Sequence, residues 1–336
     1  MTGRKIGVVG AGAWGTALAQ MLAADGTDVL LWALEDGLAD AINRDHRNDL
    51  FLPSAALAPT IHATGDLADM AQCEVLLLVT PAQHLGSILS RLPAYPQDLV
   101  LCAKGIEAGT GRMMNEVAQL CAPGSDIAVL SGPTFAHEVA AGLPTAVTLA
   151  CGGGQAQWER LAPAIARPTF RPYFSDDLVG AEVGGSVKNV LAIACGVVEG
   201  LKLGQNARAA LISRGYAEML RFGEALGAKA ATLAGLCGLG DLVLTCSSTS
   251  SRNFSLGLAL GEGQSAAALM QDRRTVAEGA HTAPVLRDLA ARHGVAMPIV
   301  EAVCALLGGA GAAEVAQDML TRPLKSETSQ PESSGT

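Results

Sequence analysis

The 336-residue chain predicts two units in series, an α/β domain with a mostly parallel sheet followed by an all-α domain. Three observations predict it. Short apolar runs alternate with helix-like stretches over roughly the first half of the chain. The strand signal stops after Asp176, and only Ala-, Leu- and Gly-rich helical sequence follows. A glycine-rich turn joins the first strand-like run directly to the first helix.

Taken in order, the strand candidates are Lys5–Val9, Val29–Trp32, Val75–Thr80, Leu99–Ala103, Ala128–Leu130 and Ala146–Ala150, with a last one at Thr169–Phe174. They are short, apolar and largely uninterrupted, as strands covered on both faces should be. Helices are expected near Ala13–Ala24, Ala39–Asn43, Gln83–Leu92, Arg112–Cys121 and Phe135–Ala141. The second unit opens with a long apolar helix from Leu178 through Val198. Further helices follow at Ala207–Leu226, Ala230–Leu236, Ser255–Leu260, Ala283–His293 and Ile299–Leu307, with Pro284 expected to start its helix. The expected domains are therefore 1–180 and 181–322, with a disordered tail at 323–336 that carries little to anchor it.

Composition narrows the function. Hydrophobic residues make up 49% of the chain and charged ones 16%, enough for large cores without a metal or disulfide staple. The net charge of −9 argues against a nucleic-acid partner, because phosphate backbones need a basic surface. It leaves a small anionic substrate open, since a pocket needs only a few local cations. The eight cysteines form no CxxC pair and lie largely in apolar runs, so they are expected as reduced core residues with no metal site. Arg4 and Lys5 ahead of Ile6–Ala24 imitate a secretory signal, but that stretch holds four glycines at motif spacing plus Thr16 and Gln20. It reads as the first element of a cytoplasmic protein. The apolar runs after Val190 and Val295 are cut by Glu199 and Glu301, so no stable membrane insertion is expected.

Gly10-Ala11-Gly12-Ala13-Trp14-Gly15 follows the first strand and opens a helix. Gly10 allows the tight turn, Gly12 lets a pyrophosphate approach the backbone, and Gly15 lets helix and strand pack closely. The free N–H groups of the helix start face the anion. This is the cradle of a Rossmann domain, and it implies NAD or NADP as cofactor. At the end of the second strand, Glu35 and Asp36 can accept a hydrogen bond from a ribose hydroxyl, or simply cap the next helix.

The reaction has to come from polar residues placed where apolar ones are expected. Lys188-Asn189 interrupts an apolar helix, and desolvation of that lysine would drive its pKa toward neutrality, as a general base for an alcohol requires. The alternative is a lysine reaching to the surface. Lys104 follows the strand Leu99–Ala103 at the sheet edge where ligands bind, and can hold an anionic substrate or the cofactor. Asp241, in Gly238-Leu239-Gly240-Asp241, can hold Lys188 in place or cap a helix. Ser251-Arg252-Asn253 is a compact donor set suited to phosphate, or a plain surface loop. The six histidines show no catalytic or metal signature, and His137 is expected on a surface helix.

Taken together, GAGAWGTALA at Gly10, KGIE at Lys104, SGPTFAHEVAAGLPT at Ser131, GGSVKNVLAI at Gly184, GLGDLVLTC at Gly238, SRN at Ser251 and AEG at Ala277 resemble the soluble NAD(P)-dependent glycerol-3-phosphate dehydrogenases of bacteria. The matches keep their order over about residues 5–310. The resemblance implies an all-helical C-terminal substrate domain and interconversion of sn-glycerol 3-phosphate and dihydroxyacetone phosphate, supplying phospholipid synthesis. It implies Lys188 as proton acceptor, and Lys104 near both substrate and cofactor. Gly132, Thr134, Asp241, Ser251, Arg252 and Asn253 are implied as substrate contacts. Trp14, Phe51, Ala136, Val276 and Glu278 are implied as cofactor contacts, with Arg252 touching both. Leu34 stands where the family often carries arginine, which argues for use of NADH at least as well as NADPH. The rival readings are a reductase of a carboxylate substrate, such as a β-hydroxyacid or ketopantoate-type enzyme, and a silent nucleotide sensor. A homodimer through the helical domain is expected.

Overall fold

The structure, a computed structural model, describes residues 5–270 and 277–323. Val276 and the expected tail beyond Pro323 lie outside the described residues. One eight-stranded sheet carries β1 (Ile6–Val9), β2 (Val29–Trp32), β3 (Ile61–Thr64), β4 (Val75–Leu78), β5 (Asp98–Leu101), β6 (Asp126–Ser131), β7 (Thr145–Cys151) and β8 (Phe170–Ser175). Its order is β3-β2-β1-β4-β5-β6-β7-β8, parallel throughout except between β6 and β7. Every residue of β1, β4 and β5 is buried, which is why these strands read as continuous apolar runs. Strand order reverses between β1 and β4, and that switch opens a crevice beyond their carboxyl ends.

The sheet is covered on both faces by α1 (Ala13–Ala23), α2 (Leu38–Asp45), α3 (Leu85–Leu89), α4 (Met114–Cys121), α5 (Ala136–Ala140) and α6 (Gly154–Ile165). Leu18, Leu22, Leu31 and Val100 pack into one core, and Leu76, Leu78, Leu99 and Leu101 into the other. Full burial of such side chains contributes about 1.5–3 kcal/mol each. β3 and α6 escaped the sequence reading, as did α12 (Ala266–Leu269) and α15 (Ala312–Leu320) further along the chain. β3 is a four-residue edge strand with His62 turned outward, too short and polar to signal itself. α6 hides behind Gly152–Gly154 and Pro163, yet Gln157, Leu161 and Ile165 form its buried stripe at four-residue spacing.

The remainder is helical: α7 (Leu178–Gly200), α8 (Gln205–Ala225), α9 (Ala230–Leu233), α10 (Asp241–Thr245), α11 (Arg252–Gly261), α12 (Ala266–Leu269), α13 (Glu278–Arg292), α14 (Pro298–Leu307) and α15 (Ala312–Leu320). α7 runs through the centre, buried at every position from Gly180 to Val197. By length and composition alone it could cross a membrane. Its apolar window is 94% buried inside the protein, however, as a core helix should be. Pro284 does not start its helix. α13 begins at Glu278 and takes Pro284 inside, at an exposed position. α14 lacks a side-chain cap of its own, and Glu218 of α8 serves instead, its Oε1 accepting from Ile299 N at 2.9 Å.

Candidate active site

The glycine turn lies at the switch between β1 and β4. Gly10 has φ +116°, a conformation that a side chain would strain, and a methyl on it would stand 3.0 Å from Val79 O. A methyl on Gly15 would overlap the Gly10 carbonyl. Gly12 faces open space, and α1 has no side-chain cap, so its first N–H groups are free for an anion. Two buried polar atoms there lack partners, Trp14 Nε1 and Thr80 Oγ1. Asn48, fully buried, braces the turn: its Nδ2 donates to Ala11 O and Thr16 Oγ1, both at 2.8 Å, while its Oδ1 accepts from Phe51 N at 3.1 Å. Phe51 is thereby held beside the cradle. Glu35 is exposed on the loop after β2 and does not cap α2, whose N-cap residue is Gly37. These features fit a dinucleotide.

The polar centre is built around the double glycine of α7. A methyl on Gly184 would collide with the Cys237 carbonyl, so the π-helical turn Leu236–Gly240 packs directly on α7 and delivers Asp241. Gly185 faces the sheet edge, where a methyl would meet Ser131 Oγ at 3.1 Å and Lys104 Cγ at 3.5 Å. One turn further on, Lys188 extends from the face thus cleared. Its ammonium donates to Asp241 Oδ1 and, at 3.2 Å, to Thr245 Oγ1. Lys104 Nζ reaches the other oxygen, Asp241 Oδ2, at 3.0 Å. Asp241 is fully buried and Lys188 is 5% exposed, so the lysine does not reach to the surface.

Electrostatics separate the two lysines. Burial drives Lys188 down toward neutrality, to about 7; Asp241 opposes that shift and the Lys104 cation reinforces it. For Lys104, burial is outweighed by Asp241, and its ammonium is held above the ordinary range. Lys104 therefore keeps the charge. Glu278, at the start of α13, is pushed up by its crowded surroundings, against the pull of Lys104, Lys188 and Arg252. The residue itself is exposed.

The remaining expected residues fall as follows. Ser251 caps α11, accepting from Phe254 N, and Arg252 opens that helix exposed, with no hydrogen-bond partner among the described residues. Asn253 Oδ1 accepts from Gly279 N at 2.9 Å, tying the SRN segment to Glu278. Gly132 must be glycine because a methyl would stand 2.9 Å from Val147 Cα. Thr134 folds back on Gly132 O, and Ala136 packs against the core beneath α1. His137 is exposed on α5, and all eight cysteines are free, six of them buried. Thr245, Thr80 and Ser131, whose buried hydroxyl has no partner, were not singled out from sequence. Their letters are ordinary, and only the fold brings them to the cleft.

A dinucleotide cradle at the switch point of a sheet, facing a buried lysine of near-neutral pKa, defines a nicotinamide-dependent dehydrogenase that handles its proton through an amine. Residues 5–157 match the family model described as the NAD-dependent glycerol-3-phosphate dehydrogenase N-terminus, and residues 177–317 match that of the C-terminus. The chain belongs to the NAD-dependent glycerol-3-phosphate dehydrogenase family. It is 72% identical over 324 residues to the glycerol-3-phosphate dehydrogenase, NAD(P)+, of Novosphingobium aromaticivorans, covering 96% of this chain and 98% of that protein. The like-named protein of Erythrobacter litoralis is 69% identical, with 96% and 98% covered. Among solved structures, glycerol-3-phosphate dehydrogenase from Coxiella burnetii superposes with a TM-score of 0.90 at 39% identity, covering 96% of this chain and 100% of that one.

Proposed function

We propose that this protein interconverts sn-glycerol 3-phosphate and dihydroxyacetone phosphate with NAD(P)H, and that its product feeds phospholipid synthesis. The observation that carries the reading is the Lys188–Asp241–Lys104 cluster, which gives one buried amine a counter-ion and a charged neighbour beside the carboxyl edge of the sheet.

Gly10, Gly12, Trp14 and Gly15 would hold the pyrophosphate end of the cofactor, with Glu35 toward its ribose. Phe51, Ala136, Val276 and Glu278 would line the rest. The chemistry such a cofactor would supply there is hydride transfer to or from C2 of the substrate. Arg252, Asn253 and Ser251 with Lys104 bind the substrate phosphate, and the Arg252 fork is free to do so. Gly132 and Thr134 close the pocket wall. Lys188 as neutral amine takes the proton of the C2 hydroxyl in oxidation, and as ammonium returns it to the carbonyl oxygen in reduction. A pKa near 7 leaves both forms populated near neutral pH, and such proton transfer contributes about 10²–10⁴-fold to the rate. Asp241 orients the amine and Thr245 accepts its second hydrogen bond.

This reading divides the chain near residue 180 into a cofactor domain and a substrate domain, working in the cytoplasm as a homodimer joined through the helical part. Substituting Lys188→Ala and following NADH and NADPH oxidation with dihydroxyacetone phosphate tests it. Cofactor binding should persist while turnover collapses; near-normal turnover would remove Lys188 from the mechanism.

A further inference from the structure

The segment between β5 and α4 is a hairpin that leaves the sheet and enters the helical core. Ile106 and Met113 pair as an antiparallel bridge, and Glu107 N donates to Arg112 O at 2.9 Å. Both bridging residues are buried in the apolar core around α7. Lys104 stands at the stem of this hairpin. Gly105 beside it has φ +154°, and a methyl there would stand 2.8 Å from Ala82 Cβ, so the stem is wedged against its surroundings.

Two side chains outside the hairpin hold it, one directly and one through the helix start that follows it. Gln83, just after β4, binds it twice: Nε2 donates to Ile106 O and Oε1 accepts from Ala108 N, both at 2.8 Å. Glu182, on α7, uses Oε1 to accept from Asn115 N at 2.7 Å in the first turn of α4, immediately after the hairpin. Glu182 is 5% exposed.

We propose that Gln83 and Glu182 are positioning residues, which pin the 104–113 hairpin from the sheet and from α7 and so keep the Lys104 ammonium on Asp241, opposite Lys188. The inference rests on the reading of Lys188 as proton carrier. A lysine side chain has four flexible carbons and loses that freedom only if its stem is fixed. The Lys104–Asp241 bond joins the sheet edge to the π-helical turn, so a small displacement of the hairpin separates the pair. Lys188 then loses its like-charged neighbour and has Asp241 to itself, and both changes favour its ammonium form. Burial lifts the Glu182 carboxyl to about 8, so it carries a proton at neutral pH. Its Oε2 and the Asn115 Oδ1 are both buried without a partner. Glutamine at 182 reproduces the acceptor and supplies a donor in place of that proton.

The experiment compares Glu182→Ala, Glu182→Gln and Gln83→Ala in the full chain, recording kcat/KM for glycerol 3-phosphate oxidation against pH alongside thermal melting. Both alanine variants should move the acid limb to higher pH by about one unit and raise KM for the substrate more than they lower kcat at the pH plateau. Glu182→Gln should return the limb to its wild-type place. Gln83 is exposed, so its variant decides the matter even if Glu182→Ala does not fold. An unmoved acid limb in Gln83→Ala, or a glutamine variant that behaves like the alanine one, overturns the proposal. Neither result resembles failure of the proton-carrier reading, which shows as retained turnover in Lys188→Ala.

Discussion

Lys104 and Lys188 approach one carboxylate from opposite walls of the cleft, each bonded to its own oxygen of Asp241. One carboxylate cannot fully neutralise two buried ammonium groups, so the less exposed lysine gives up its proton first. Side-chain exposure is 6% for Lys188 and 15% for Lys104, which decides the order.

Lys104→Met tests that arrangement by removing the charge while keeping most of the stem. Lys188 then faces Asp241 without a neighbouring cation, so its pKa rises and the neutral amine appears only at higher pH. The acid limb of kcat/KM for oxidation should move up by about one pH unit, with a higher KM from loss of the phosphate contact proposed for Lys104. A limb displaced toward acid would contradict the assignment of the charge to Lys104.

Much of this centre was legible in sequence because its letters break local patterns. A lysine inside an apolar helix, an acid after two glycines and a lysine directly after a strand each stand out alone. The pairing of Lys188 with Asp241 could be read as a possibility, but the sharing of that carboxylate with Lys104, 137 positions away, could not. It depends on the Gly184 and Gly185 contacts, which only the packed helix reveals. The fold shows the same division. Two-faced strands announced themselves through unbroken apolar runs, whereas β3 at the sheet edge and α6 behind its glycines lacked any such run. Ser251 reads in sequence as a phosphate donor, and in the structure it caps α11, since a short polar side chain before a helix suits that place.

Glu218 gives a stability prediction with a definite sign. Its ordinary pKa of 4.5 is raised to about 7 in the folded chain, chiefly by burial. Between those values the folded state binds more protons than the unfolded one, so this group's contribution to stability is complete at low pH and declines as pH rises from about 4.5 to 7. Glu218→Gln keeps the acceptor for Ile299 N and removes the titration. The variant should melt with the wild type near pH 4 and be more stable by about 1–3 kcal/mol at pH 8, as read from thermal melts. Equal melting temperatures at pH 8 would show that the carboxylate finds water or another partner.

Asn48 predicts a defect chiefly in cofactor binding. Its amide holds Ala11 O, Thr16 Oγ1 and Phe51 N; when it is cut back, Ala11 O and Thr16 Oγ1 keep only their bond to each other at 3.1 Å, and Phe51 N loses its side-chain acceptor. Each buried group left unpaired costs about 1–3 kcal/mol. Asn48→Ala should therefore weaken NADH binding by at least tenfold, measured by fluorescence titration, with a smaller change in kcat at saturating cofactor. Unchanged affinity together with a lowered melting temperature would make Asn48 a fold residue only.

We predict the cofactor preference from Leu34, which projects from the end of β2 with 65% of its surface exposed. The next residue, Glu35, is exposed too, and no lysine or arginine immediately flanks the pair. A 2′-phosphate placed there would meet a carboxylate and a leucine, while a 2′-hydroxyl would find an acceptor. The wild-type protein should use NADH at least as efficiently as NADPH, read as kcat/KM for each cofactor with dihydroxyacetone phosphate. Leu34→Arg supplies the missing fork and should raise the NADPH-to-NADH ratio by about tenfold, the worth of one partly exposed charge-assisted contact. A wild-type enzyme that already favours NADPH strongly would mean that the 2′-phosphate is held by cations from another segment, and Leu34→Arg would then leave the ratio where it was.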